Sequence, residues 1–171
     1  MKHLKLKFII IGILLGLLLG CKFSRMSQEE INLATMHRYA EALNTFNYDQ
    51  LDECIKPDFI RHSQASGDQQ IKSLEEYKLF YQEWANAFPD AHTTIHVLFA
   101  KDDMIASYAT LTGTQTGSFG SLPATGKKMK SDFIGILRFE DGKIAEVWVE
   151  WDNLAILEQL GYFPPSDTAK E

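Results

Sequence analysis

Two spacings of apolar residues divide this chain. From Ser27 onward Leu33, Met36, Ala40 and Leu43 return on one helical face, behind a Ser27 and Glu30 pair spaced as a capping box, which predicts a first helix ending near Asn47. A shorter turn through Leu51 to Ile55 stops at Pro57, because proline cannot continue a helix without losing a hydrogen bond. Asp58 to His62 read as a brief extended segment, and the polar run SQASGDQQ behind it as a loop. Ser73 and Glu76 form a second capping-box pair. They open a helix whose Tyr77, Phe80, Tyr81, Trp84, Ala87 and Phe88 make a broad aromatic stripe, ended by Pro89. Core packing against a sheet accounts for most of that stripe.

After Pro89 the period changes to two. AHTTIHVLFA, MIASYATLTGTQTG, MKSDFIGILRFE and KIAEVWVEWD read as four strands; Lys101-Asp102-Asp103 joins the first two and Asp141-Gly142, a hairpin signal, joins the last two. The loop SFGSLPATGKK separates the middle pair. NLAILEQLG closes the pattern as a short helix ending at Gly161. Helices first and an antiparallel meander last predict an α+β layer, with helices covering one face of the sheet. Long strands twist and coil, so the sheet is expected to be concave and to leave a pocket under the helices.

The opening MKHLKLKFIIIGILLGLLLGCK belongs to neither pattern. Lys2, Lys5 and Lys7, the apolar run Phe8 to Leu19 and the exit Leu18-Leu19-Gly20-Cys21 have the build of a secretory signal peptide over residues 1–20. The run is short for a membrane helix, which needs about 20 apolar residues. Leu-Leu-Gly-Cys resembles the lipobox of bacterial lipoproteins. That resemblance implies lipid attachment at Cys21, a tether over residues 21–30 and membrane anchoring at the bacterial cell envelope, on the outer membrane in a Gram-negative host because Lys22 follows the cysteine. An uncut anchor and a start at Met26 are the competing readings. From Cys21 to Glu171 the chain carries 14 basic against 23 acidic residues, a net −9, which disfavours nucleic acid as a partner. With Cys21 acylated, Cys54 has no cysteine to pair with, and its apolar neighbours mark it as an inert buried thiol.

Ala87-Phe88-Pro89-Asp90, Gly113-Thr114-Gln115 with Gly117 and Phe119, Pro123-Ala124-Thr125-Gly126-Lys127, Asp141-Gly142-Lys143-Ile144 with Glu146 and Trp148, and Asp152 with Gln159-Leu160-Gly161 resemble the SnoaL-like polyketide (ester) cyclase family. The resemblance runs from about Leu33 to Gly161, giving a domain over residues 31–161 and a tail over 162–171. It implies the cone-shaped α+β barrel of the nuclear transport factor 2 superfamily, a curved antiparallel or mixed sheet wrapped around N-terminal helices with a deep internal pocket, and a homodimer. It also implies cofactor-free acid/base chemistry, such as an aldol-type cyclisation of a small apolar carbonyl compound, with a general acid/base aspartate at the position of Asp152. Histidine is common at the position of Gln115 and also at that of His62. Gln115, and Ser63-Gln64 after the histidine, depart from the family pattern and put a polyketide substrate in doubt.

An exposed aspartate has a pKa near 3.9 and is a feeble base, whereas burial among apolar rings raises it toward working pH. On that ground Asp152 is a candidate base, Gln115 an amide donor to an oxyanion, and His62 a support. Trp148, Trp84, Phe80 and Phe119 are candidate substrate-binding walls. Asp152 could equally cap the helix that follows it. Strand parity places Glu146, Trp148, Glu150 and Asp152 on one face and Ala145, Val147, Val149 and Trp151 on the other. Three acids in one closed pocket would repel one another, so only the strand's end is expected to reach the cavity. His92 and His96 have a zinc-like spacing but fall on a strand, about 13 Å apart at about 3.3 Å per residue, and are not read as a metal pair. GSLPATGKK lacks the spacing of a phosphate loop and is read as a pocket rim. The alternative to an enzyme is a lipid-anchored protein that binds a small apolar ligand without turning it over.

Overall fold

A computed structural model describes residues 26–65 and 70–163; the leader over 1–20, Cys21 and most of the tail expected over 162–171 lie outside the described residues. Helix α1 (Gln28–Asn44) starts from a complete capping box, in which Ser27 Oγ accepts from the Glu30 amide and Glu30 Oε2 accepts from the Ser27 amide. It stops three residues short of Asn47 because Phe46 turns left-handed, and the Asn47 and Phe46 amides fold back onto the carbonyls of Ala42 and Leu43. Short α2 (Leu51–Cys54) buries Leu51 and Cys54. The Cys54 thiol is fully enclosed, and burial raises its pKa, which fits an inert side chain. Helix α3 (Leu74–Ala87) is capped by Ser73, while the Glu76 carboxylate reaches the Lys72 amide instead of completing the box.

Strand β1 (Ile55–His62) is longer than the brief segment expected, since it begins before Pro57. It tolerates the proline because it is an edge strand: the sheet order is β1-β5-β4-β3-β2, and the one strand that β1 pairs with in this sheet is β5, in parallel. Its register jumps between Ile55 and Ile60, so Pro57 sits in a bulge where the ladder needs no N–H. The other strands, β2 (His92–Lys101), β3 (Met104–Thr114), β4 (Lys128–Glu140) and β5 (Lys143–Trp151), form the antiparallel meander. A second bulge at His96 interrupts β2, the opposite edge. At the β4–β5 hairpin Asp141 and Gly142 both have positive φ, 52° and 76°, the conformation an Asp-Gly turn supplies.

The sheet is thus mixed and open; β1 and β2 do not close it into a barrel. Helices α1 and α3 cover one face of the sheet, the α+β arrangement expected of the cone. Met36, Leu51, Phe59, Leu74, Tyr77, Ile105 and Leu137 build the main core. A smaller cluster around Phe88, Met129, Ile156 and Leu160 anchors α4 (Asn153–Leu160), whose C-terminus turns on Gly161 at φ 86°.

Candidate functional site

Strand alternation builds the cavity. Ser107, Ala109 and Leu111 of β3 stand in register with Gly135, Phe133 and Ser131 of β4, and Leu137, Gly135 and Phe133 stand in register with Val147, Val149 and Trp151 of β5. All of them face inward. Met36, Tyr39, Ala40 and Leu43 of α1 and Tyr77, Phe80, Tyr81 and Trp84 of α3 roof them, leaving a cavity of about 130 Å³. That volume is close to the roughly 150 Å³ of an apolar cavity that takes up benzene, so a compound built on one ring fits.

The inward set includes a residue that sequence reasoning missed. Arg61 of β1 pairs across to Val147, lines the cavity and is 4% exposed. Its guanidinium carbon lies 5.2 Å from the Phe80 ring centre and 5.4 Å from that of Trp151, so two aromatic faces hold the charge in place. The signal was parity: in DFIRH, Arg61 shares a face with Phe59, which is buried. The remaining polar side chains of the wall are Tyr39, Tyr77, Tyr81, Thr93, Ser107 and Ser131. No carboxylate or imidazole lines the cavity among the described residues.

The expected site residues separate. Phe80 and Trp84 line the cavity. Phe119 stands behind them, edge-on to Phe80 at 6.3 Å and to Trp84 at 5.1 Å. Trp148 does not form a wall; it points out of the sheet, 38% exposed, stacked on His62 at 5.2 Å and 10° between planes. His62 is on that outer face too, where its Nε2 donates to Glu146 Oε1 at 2.8 Å, and Arg138 Nε donates to Glu146 Oε2 at 3.0 Å. The His62 hydrogen bond, assisted by Arg138, lowers the Glu146 pKa against the opposing effect of desolvation.

The buried-base expectation for Asp152 is corrected. Asp152 is exposed, outside the cavity lining, and caps α4 by accepting the Ala155 amide at 2.9 Å. The reason is geometric: β5 ends at Trp151, whose ring takes the last inward position, and the chain turns into the helix at the next residue. Asp152→Ala should therefore cost about 1 kcal/mol of stability, the usual worth of a cap, read from denaturant unfolding. Unchanged ligand affinity in the same variant would agree with this placement, and a lost site with unchanged stability would refute it.

Gln115 is fully buried but is not in the cavity wall. Its Oε1 accepts from Thr125 Oγ1 at 3.0 Å and from the Tyr162 hydroxyl at 2.9 Å, and its backbone pairs with Lys127 and Gly126. The side chain thus staples the 115–127 loop to the end of α4, while its Nε2 has no partner among the described residues.

A cone of this topology, with an aromatic roof, belongs to a class defined by sequence as well as shape. The profile of SnoaL-like polyketide cyclases matches residues 34–160, and the chain belongs to that family. Among solved structures it resembles AclR from Streptomyces galilaeus, named as a candidate hydroxylase, at 27% identity and TM-score 0.68, over 79% of this chain and 83% of that one. It resembles IdmH from Streptomyces antibioticus, named as a candidate polyketide cyclase, at 27% identity and TM-score 0.66, over 76% and 98%. A candidate SnoaL-like polyketide cyclase from Jannaschia Sp. CCS1 shares the fold at TM-score 0.73 and 22% identity, over 82% and 99%. No curated protein matches the sequence.

Proposed function

We propose that this chain takes up a compact, largely apolar compound bearing a carbonyl oxygen, with Arg61 as the group that orients that oxygen. The observation that carries this reading is the cavity wall itself: aromatic and aliphatic on nearly every side, with a guanidinium fixed between Phe80 and Trp151. A guanidinium has five N–H donors, enough to serve a protein neighbour and a ligand oxygen together. Binding without turnover is the reading this wall favours, because the carboxylate a proton abstraction would use lies outside it. Cyclase-type turnover is the second reading, supported by the family and by the names of its structural relatives.

Acetophenone titrated by calorimetry tests both. The protein should bind it, and Arg61→Met should bind about 10- to 100-fold more weakly, the worth of a hydrogen bond to a charged donor, about 1.5–3 kcal/mol. Equal affinity in the two proteins would remove Arg61 from the site. Exchange of the methyl hydrogens of acetophenone for deuterium faster than in buffer, followed by NMR, would favour turnover.

The outer sheet face supports a second part of the proposal, a homodimer. Phe99, Ala106, Ile136, Trp148 and His62 follow one another across the five strands in register, and Val97, Tyr108 and Ile134 form the next row. Phe99 is 71% and Ile134 61% exposed. Five strands spaced about 4.8 Å apart give a face roughly 20 Å wide. An apolar patch of that breadth on one side of a sheet is what a subunit interface of about 800 Å² per partner needs at its centre, and the polar rim of His62, Glu146 and Arg138 carries both signs of charge for a two-fold copy to match. The leader reading completes the proposal: a lipid on Cys21 would hold this dimer at the cell envelope.

A further inference from the structure

Three phenols share the cavity wall. The hydroxyls of Tyr39 on α1 and Tyr77 on α3 are hydrogen-bonded to each other, and the Tyr81 ring, one turn beyond, stands edge-on to Tyr77 with centres 4.8 Å apart. Burial raises the pKa of both Tyr39 and Tyr77 well above the ordinary phenol range, and the neighbouring Tyr81 adds to the rise. Each therefore stays a neutral hydroxyl and keeps a proton to donate. Tyr39 and Tyr77 hold two hydroxyl protons and share one hydrogen bond, so a second O–H of the pair can turn to a further acceptor. Arg61 lines the same cavity, and its charge offsets part of the rise at Tyr39.

We propose that the Tyr39, Tyr77 and Tyr81 hydroxyls, with Arg61 in the same cavity wall, form an oxyanion subsite that takes an acidic phenol or enol in its ionised form. The inference rests on the cavity being a ligand site. On binding, the ligand's O–H bond breaks, its electron pair stays on oxygen and its proton passes to solvent. The wall supplies strong donors, while the strong acceptors that would hold a neutral ligand's proton, carboxylate or imidazole, are absent from it among the described residues. Donors fixed in an apolar setting act on a negative oxygen more strongly than they would in water.

The experiment uses 4-nitrophenol, whose phenolate absorbs in the visible, and nitrobenzene, which has the same ring without the hydroxyl. With the purified protein, bound 4-nitrophenol should ionise at least about one pH unit below the free compound, a tenfold preference for the anion. Tyr39→Phe, which removes one oxygen from the cluster, should reduce that preference by about tenfold while the variant still binds nitrobenzene, which shows that it is folded. Nitrobenzene binding with 4-nitrophenol held only as the neutral phenol would overturn the oxyanion subsite and leave the cavity reading intact. Failure of both compounds to bind would overturn the cavity reading and this inference together.

Discussion

Gly117→Ala should destabilise the fold by about 3–5 kcal/mol in urea unfolding, more than an ordinary overpacked side chain at about 1–3 kcal/mol. A Cβ at this position would stand 2.2 Å from the carbonyl oxygen of Asn86, 3.0 Å from its carbon and 3.2 Å from the Ala87 Cα. All three are backbone atoms of the last turn of α3, so no rotamer change relieves the contact. Moving the loop away is also costly, because the Thr116 and Gly117 amides both donate to the Ala87 carbonyl at about 0.5–1.5 kcal/mol each. The same turn carries Trp84 and therefore the cavity roof. Gly120→Ala is the control. Gly120 lies in the same loop at φ 55° with no atom within 4 Å of the added carbon, so it should cost only the left-handed penalty of about 1–2 kcal/mol. Equal losses in the two variants would mean that loop conformation, not the approach to α3, sets the requirement for glycine.

Ile134→Glu should convert the proposed dimer into a folded monomer. Ile134 lies on β4, the central strand, beside Tyr108 of β3 and with its side chain 61% exposed in the single chain. A glutamate there meets water in the monomer and, facing Glu150 of β5, costs the subunit about 0.2–1 kcal/mol. In the proposed interface two copies of it would be buried near the two-fold axis without a cation, which costs several kcal/mol. An increase in the dimer dissociation constant of about 100-fold or more follows from about 3 kcal/mol, read by sedimentation equilibrium, with cooperative thermal unfolding of the dissociated chain retained. A parent protein that sediments as a monomer at tens of micromolar would remove the dimer from the proposal.

Element types were legible because each is set locally. Ser27 with Glu30, Asp141-Gly142 and Gly161 act within a few residues of themselves, and all three appear where the spacing put them. Pro57 misled because its meaning depends on the sheet. In isolation it ends a helix, but on an edge strand with a bulge it is harmless. The parity of β5 was also legible, and it already divided Val147, Val149 and Trp151 from Glu146, Trp148 and Glu150. What it could not state was which side is the inside. The structure chose the side with no charges, and Trp148 and His62 went outward together. Asp152 is the same lesson at a chain end, where one residue beyond Trp151 leaves the sheet and becomes a cap. Arg61 was missed because a lone arginine next to a histidine reads as surface. Parity put it on the face of Phe59, and the pairing of β1 with β5, between residues more than 80 positions apart, makes that face the inner one.

The two bulges at the sheet margins have a consequence for crowding. On β1 the ladder breaks between Ile55 and Ile60 around a proline, and on β2 it breaks at His96. Neither margin therefore offers a long run of evenly spaced donors and acceptors onto which a stray strand could zip. Growth by edge addition, the route to fibres, is disfavoured at both margins, while the proposed pairing through the outer apolar face would be isologous and close after two copies. A molecule concentrated on a two-dimensional surface would gain from that difference, since it can pair there without polymerising.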